Sequence, residues 1–294
     1  YYVQSLEDLR ELLDRGKVRL GVVIPAGLAR KVGKVGAQQQ IQVIADATNT
    51  VAASLTINAA TTVVKKLSSD LAAGYGLVAP EFIDFRTDVR FNPTLDFRPF
   101  SIPAQLGFIT YQVTLAIAAL GLARERELGT LEQLMVTPLR RVELALGKGL
   151  PALAIGGLNF AIMWVIGLTV FGVPMNGSPW LLAALTLPFV SAVVGWGVVI
   201  SAVSHTQQQA ILLVFILAMV EIAFSGFLVP VRNMPALLQA LSQLVPLQHY
   251  LVIIRSVMLK GAGLEELWPQ AGSLLALALV AWIAALRSIA RRLE

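Results

Sequence analysis

Two long stretches of this 294-residue sequence carry no charged side chain, and they restrict its fold more than any other feature. Residues 101–123 are uncharged, and no Asp, Glu, Lys or Arg lies between Lys148 and His205. A helix rises 1.5 Å per residue, so about 20 apolar residues cross the roughly 30 Å hydrocarbon core of a bilayer. The sequence therefore predicts an α-helical polytopic membrane protein.

The uncharged stretches divide into five predicted membrane spans. Residues 149–204 are too many for one helix, so we expect the chain to turn in the segment 173–179, which contains two prolines. The five spans fall at about residues 101–123, 149–172, 180–203, 209–229 and 267–286. Only the fourth contains a charged residue, Glu221.

Residues 236–259 are also apolar but form a poor candidate for a full crossing. Pro246 and Arg255 interrupt them, which favours two short re-entrant or interfacial helices over one span. With the five spans, they make up a predicted transmembrane domain over residues 101–294.

Residues 1–100 differ in character from the rest of the chain. They hold 12 of the 23 Lys and Arg and 10 of the 18 Asp and Glu, although charged residues are only 14% of the whole sequence. Polar and apolar residues alternate at 17–24 and 84–91, and residues 40–45 are similar, which predicts strands. Residues 50–73 lack Pro and Gly and predict a helix. Strands that alternate with helices indicate an α/β domain over residues 1–100.

The positive-inside rule orients the chain. Eight basic residues flank the predicted spans on one side: Arg124, Arg126, Arg140, Arg141, Lys148, Arg287, Arg291 and Arg292. Three lie on the other side: Arg232, Arg255 and Lys260. This asymmetry predicts that the eight are cytoplasmic and that the α/β domain is extracytoplasmic. Because an outer domain needs a segment that carries it across the inner membrane, we expect a sixth span upstream of Tyr1 in the intact protein.

The sequence lacks the motifs of enzymes and of cofactor sites. Neither Gly33-Lys34 nor Gly147-Lys148 has the spacing of a phosphate-binding loop, and no hydrolase motif is present. The chain has no Cys and only two His, far apart, so no metal ligands are expected. No basic stripe with interleaved aromatic residues indicates nucleic-acid binding. We expect a chain that is not catalytic and binds no cofactor by itself.

The loop between the first two predicted spans, residues 124–138, contains the most informative motif. Thr130 and Gln133 form a predicted capping box, and Pro138 ends a helix of about two turns over residues 129–137. Its apolar face consists of Leu131, Leu134 and Met135. Such a helix suits docking into a partner's groove, and its alternative role is a connector on the membrane surface.

Residues 125–138, Glu-Arg-Glu-Leu-Gly-Thr-Leu-Glu-Gln-Leu-Met-Val-Thr-Pro, resemble the signature loop of ABC-2 type transporter permeases, the type-2 ABC exporters that include drug-efflux and membrane-stress permeases. Residues 90–93 and 225–261 resemble further parts of that family. The resemblance implies that residues 129–137 are a coupling helix. It implies these ATPase-coupling residues: Glu125, Glu127, Gly129, Thr130, Leu131, Glu132, Leu134, Met135 and Pro138.

The same resemblance implies a function and partners. The chain would be the permease subunit of an exporter that moves a hydrophobic or amphipathic substrate, such as a drug or a lipid, outward. Two copies of a separate ABC ATPase would bind ATP and Mg, and a second permease subunit would complete the complex among membrane lipid. A periplasmic adaptor is a further partner to consider. The alternative from another class is a receptor or assembly scaffold that displays the outer domain without transport.

Three polar residues within the predicted spans are candidates for the translocation path or the dimer seam. Glu221 is expected near the middle of the fourth span, where a lipid-facing charge costs about 2.5–3.5 kcal/mol. Its alternative role is a local hydrogen bond near the outer interface. Asn159 and Gln112 are the other two, although hydrogen bonding between helices is the simpler role for them.

Overall fold

The computed structural model describes residues 2–3, 5–14, 17–18, 20–25, 39–47, 50–74, 83–90, 97–131, 133 and 140–293. The chain forms two compact units, Tyr1–Phe100 and Ser101–Glu294.

The first unit contains a three-stranded sheet and two helices. Its elements are α1 (Leu6–Asp14), β1 (Leu20–Val23), β2 (Gln39–Asp46), α2 (Thr50–Gly74) and β3 (Ile83–Arg90). The strand order is β1-β2-β3, with β1 antiparallel and β3 parallel to β2. A parallel pair needs a crossover connection, and α2 lies in the segment that joins β2 to β3.

Helix α1 packs on this sheet through a small apolar cluster. The Ser5 hydroxyl accepts a hydrogen bond from the Asp8 amide at 3.0 Å and caps the helix. Leu9 and Leu13 are buried against Ile44 of β2. A Cβ added at Gly21 would collide with the Leu9 side chain, so glycine at this position allows helix and strand to approach closely.

The second unit is helical. Its helices are α3 (Phe97–Glu127), α4 (Arg141–Thr169), α5 (Pro179–Val203), α6 (Gln207–Phe224), α7 (Ala236–Ser242), α8 (Pro246–Arg255) and α9 (Leu264–Leu293). A 3₁₀ turn, Val231–Asn233, precedes α7, and a π-helical turn, Ser256–Lys260, follows α8.

The helices of this unit confirm the prediction of a helical polytopic membrane protein. Among the residues that the structure describes, α3, α4, α5, α6 and α9 are long and apolar enough to cross a membrane. Helix α7 and the helical segment that begins at Pro246 meet at a bend of 83° and form either a broken sixth span or a re-entrant loop.

Helix α5 lies at the centre of the helical unit. It packs against α4, α6, α8 and α9, and 61% of its apolar window is buried, compared with 22% for α4 and for α6. A Cβ added at Gly195 would come within 2.7 Å of the Ala281 Cβ in α9, so the two helices are in close contact there. Helices α4 and α6 instead expose apolar faces, as contact with lipid or a partner subunit requires.

Helix α6 ends five residues before the predicted end of the fourth span, residues 209–229. Gly226 adopts the left-handed conformation, with φ of 79°, and this conformation terminates helices. The apolar residues 227–229 prolong the hydropathy signal beyond the helix itself. Glu221 consequently lies in the last turn of α6, and not near the middle of the span as predicted.

Two hydrogen bonds hold the bent segment, one across the bend and one beyond the end of α8. His249 Nε2 of α8 lies 2.9 Å from the Gln243 carbonyl oxygen at the end of α7. The Asn176 side chain, in the link between α4 and α5, donates to the Leu259 carbonyl at 2.7 Å. These contacts fix a segment that has too few residues in either helix to cross a bilayer alone.

Candidate functional site

The end of α3, the start of α4 and the link between α5 and α6 form a polar cluster at one end of the helical unit. The apolar sequence of α3 stops at Ala123, and four charged residues follow in its last turn. We call this group the loop-base cluster; it consists of Glu125, Arg126, Glu127, Thr130, Lys148, Ser201, Ser204 and Gln207.

Glu125 connects the beginning of the loop to α4. Its carboxylate accepts a hydrogen bond from Lys148 Nζ at 2.7 Å and another from the Thr130 hydroxyl. The Thr130 amide also donates to the Glu125 carbonyl, at 2.9 Å, across a turn in which Gly129 has a φ of 72°. The two charged side chains are each 27% exposed, so the pair is partly shielded from solvent. Glu125 thus positions the first residues of the loop relative to α4.

Arg126 and Glu127 connect the same turn of α3 to α5 and α6. The Arg126 guanidinium donates to the carbonyl oxygens of Ser204, which directly follows α5, and, at 3.1 Å, of Ala202 in its last turn. Basic side chains commonly bond the unpaired carbonyls at a helix end. The Gln207 amide, at the start of α6, donates to Glu127 Oε2 at 2.8 Å. An acidic side chain is favourable at a helix N-terminus, because the helix dipole is positive there and the first amides are unpaired.

Ser201 joins α5 directly to the backbone of α3. Its buried hydroxyl accepts hydrogen bonds from the Leu122 amide at 2.6 Å and the Ala123 amide at 3.1 Å. One turn earlier in α5, a Cβ at Gly197 would collide with the Ala118 side chain. The two helices therefore pack closely along their last two turns.

The loop itself is described in part. Leu131 is partly buried and packs against the core of the helical unit, whereas Gln133 is exposed. Leu131 is therefore directed toward its own protein and not freely toward a partner. The two hydrogen bonds of the Thr130 hydroxyl go to Glu125, so the capping box with Gln133 stays a prediction. The remaining predicted coupling residues of the loop, Glu132, Leu134, Met135 and Pro138, lie outside the described residues.

Glu221 makes a local contact with the bent segment. It is buried, and its Oε2 accepts a hydrogen bond from the Leu247 amide at 3.2 Å. Leu247 follows Pro246 in the first turn of α8, where backbone amides have no partner within the helix. Of the two predicted roles of Glu221, this contact supports the local one: its carboxylate fastens the start of α8 to the end of α6.

Asn159 and Gln112 lie on α4 and α3, and neither is hydrogen-bonded to Glu221 within the described part of the chain. Asn159 Oδ1 is buried and has no hydrogen-bond partner among the described residues. Gln112 is half-buried. No hydrogen bond among the described residues joins these three side chains, and their assignment to a translocation path or dimer seam stays a prediction.

Sequence reasoning did not identify Arg126, Lys148, Ser201 or Ser204 as members of the cluster. Their partners are 23 to 79 positions away in the sequence, so no local spacing indicates the contacts. One signal was present for Lys148, because an isolated charge at the edge of a long uncharged stretch favours an ion-pair partner.

Comparison with known proteins agrees with this architecture. Residues 1–287 match the family described as "ABC-2 family transporter protein". The chain is 33% identical over 268 residues to the probable multidrug ABC transporter permease YbhR of Escherichia coli K12. The matched region covers 90% of this chain and 72% of YbhR. It is 30% identical over 272 residues to the inner membrane transport permease YhhJ of the same strain, covering 90% and 71%. It is 28% identical over 256 residues to the probable multidrug ABC transporter permease YbhS, covering 87% and 68%. The chain therefore belongs to the ABC-2 family of transporter permeases.

Proposed function

We propose that this chain is the permease subunit of an ABC exporter that moves hydrophobic or amphipathic compounds, drugs among them, out of the cell. The observation that carries the proposal is the family match across residues 1–287, which includes both units. The names of the relatives YbhR and YbhS, probable multidrug permeases, support drugs as the substrate class. Membership of a transporter family also favours transport over a receptor or scaffold.

The energy would come from a separate ATPase, which binds ATP and Mg and contacts residues 129–137. The loop-base cluster supports this role, because it anchors the start of the loop while Gln133 stays exposed to a partner. A complete transporter would contain two ATPase copies and a second permease subunit. Because Leu131 packs inward while Gln133 is exposed, Gln133 offers the more accessible contact with a partner.

The proposed orientation places the loop-base cluster in the cytoplasm and residues 1–100 outside the inner membrane. Among the side chains that the structure describes, six basic residues lie at the helix ends on the same side as the loop-base cluster: Arg124, Arg126, Arg140, Arg141, Lys148 and Arg287. Three belong to the opposite ends and connections: Arg232, Arg255 and Lys260. The excess supports a cytoplasmic cluster by the positive-inside rule.

Transport in everted membrane vesicles tests the proposal. Vesicles that contain this chain and the ATPase subunit encoded with it would receive Hoechst 33342 as the probe, with or without ATP. We expect ATP-dependent uptake into the vesicles. Vesicles with an ATPase that lacks its phosphate-binding Lys are the matched control and should show none. Equal uptake in both preparations would contradict ATP-driven export of amphipathic compounds.

A further inference from the structure

Helices α3 and α5 pack closely at the end of the unit that carries the loop. The loop is covalently joined to α3 and α4 only. In the described structure, however, the last turns of α3 are bonded to α5 at two levels. Ser201 accepts the amides of Leu122 and Ala123, and Arg126 donates to the carbonyls of Ala202 and Ser204.

These contacts resist separation of the two helices in different ways. The Ser201 hydroxyl is buried, and if α5 moved away its oxygen would lose both of these donors in an apolar environment. Arg126 makes charge-assisted hydrogen bonds to two carbonyls at the C-terminal end of α5, one in its last turn and one on the residue that follows it. Gly197 leaves no gap between the helices, so a sliding motion would bring its backbone against Ala118.

Helix α6 is attached at the same point. Glu127 is adjacent to Arg126, and its carboxylate accepts the Gln207 amide in the first turn of α6. Two consecutive residues at the base of the loop thus contact the end of one span and the start of the next. The α5–α6 link between these contacts is short, from Ser204 to Thr206.

We propose that Arg126, Glu127 and Ser201 make the ends of α3, α5 and α6 move as one body, so that displacement of the loop reaches α5 and α6 directly. This inference rests on the proposed function, in which an ATPase moves the loop. Arg126, Glu127 and Ser201 act as positioning residues. Because α5 is the central helix and also contacts α4, α8 and α9, its displacement is transmitted to most of the helical unit.

Distance measurements between two spin labels test the inference in the full complex with the ATPase. The labels would be attached through Leu128→Cys at the base of the loop and Gln208→Cys in the first turn of α6, both at exposed positions of a chain that has no native Cys. Labelled chains diluted with unlabelled ones give the distance within one subunit. The complex would be measured in nanodiscs without nucleotide and after trapping with ATP and vanadate.

Arg126→Met combined with Glu127→Leu removes both contacts to the α5–α6 link. The combination Arg126→Lys with Glu127→Gln keeps a donor and an acceptor at the same positions and is the conservative counterpart. Glu143→Gln is the control, because the Glu143 carboxylate accepts the amide of Arg140 at the start of its own helix and, among the described residues, is not hydrogen-bonded to α5 or α6.

We expect trapping to leave the label distance unchanged in the wild type, the control and the conservative variant. In Arg126→Met/Glu127→Leu, trapping should shift the distance by more than the width of the wild-type distribution. An unshifted distance in that variant, or an equal shift in the wild type, would overturn the inference. Recovery of the ATPase with each variant is measured in the same preparations. Failure of the wild type to retain the ATPase would instead count against the proposed function.

Discussion

Glu221 lies between two helices that come from distant parts of the sequence. Its carboxylate accepts the Leu247 amide at 3.2 Å, and the residue is only 3% exposed. A buried acceptor of this kind is needed because the first amides of α8 have no partner within that helix. The contact joins the end of α6 to the bent segment.

Two substitutions of Glu221 should distinguish the contribution of its hydrogen bond to stability from that of its charge. Glu221→Gln keeps an oxygen acceptor and should insert normally, with an unfolding temperature close to that of the wild type. Glu221→Leu leaves the Leu247 amide without this acceptor and should cost about 1–3 kcal/mol. Thermal unfolding in detergent, followed by size-exclusion chromatography, measures both effects.

The matched control for this series is Val220→Leu, because Val220 precedes Glu221 on α6 and is exposed. It should not change the unfolding temperature. If Glu221→Leu were as stable as this control, the Leu247 contact would contribute nothing to stability. A loss of transport in Glu221→Gln at wild-type stability would support the translocation-path role of the sequence prediction.

The contacts of single residues in the loop-base cluster could not be predicted from the sequence. The resemblance of the loop to the family's signature identified Glu125 and Glu127 as coupling residues. The contacts of these side chains could not be predicted, since Lys148 lies 23 positions from Glu125 and Gln207 lies 80 positions from Glu127. Such pairs are set by the packing of whole helices, which a single sequence does not specify.

At the scale of elements, the contact between α3 and α5 gives the sharpest prediction. Gly197→Ala places a Cβ against the Ala118 side chain and should destabilise the protein by about 1–3 kcal/mol through overpacking. Gly157→Ala is the control, because a Cβ added there meets no atom within 4 Å. Thermal unfolding of the two variants gives the comparison.

A compensating change tests whether the contact itself is the cause. Gly197→Ala combined with Ala118→Gly should recover part of the loss. Recovery should be incomplete, because the added Cβ would still lie 3.1 Å from the Leu115 carbonyl oxygen. If Gly197→Ala behaved like Gly157→Ala, close packing of α3 on α5 would be disproved.

The helices and strands themselves were largely predictable, for a physical reason. A bilayer requires long uncharged helices, so hydropathy alone indicates α3, α4, α5, α6 and α9. The end of α6 was misplaced because hydropathy counts apolar residues and ignores the helix-ending conformation of Gly226. In the first unit, alternation predicts strands near β1, β2 and β3, but not that β2 is antiparallel to one neighbour and parallel to the other. Pairing depends on the connections, which alternation does not describe.

At the scale of the whole molecule, the proposed orientation predicts which residues are accessible from outside the cell. Ser69→Cys in α2 and Gln133→Cys in the loop place single thiols at exposed positions. In spheroplasts, a membrane-impermeant maleimide should label Ser69→Cys and spare Gln133→Cys. Detergent permeabilisation should make both reactive. Labelling of Gln133→Cys alone in sealed spheroplasts would show that the orientation is inverted.

In the proposed complete transporter, residues 129–137 dock the ATPase. Leu134→Asp introduces a charge into the predicted apolar face of the coupling helix, where an unpaired buried charge is costly whether that face meets the ATPase or, like Leu131, packs on the permease. Gln133→Trp instead adds bulk at an exposed position, which should block a partner without disturbing the permease fold. His205→Asp is the control on the same side of the membrane, in the exposed α5–α6 link.

The most direct measurement is the amount of active ATPase that co-purifies per folded permease for each of these variants. Size-exclusion chromatography establishes the folded fraction, so that a loss of docking is distinguished from a loss of folding. We predict at least a tenfold loss of ATPase for Leu134→Asp and for Gln133→Trp, which corresponds to about 1.4 kcal/mol of binding free energy, and wild-type recovery for His205→Asp. Full recovery of active ATPase with both loop variants would contradict docking of the ATPase on residues 129–137.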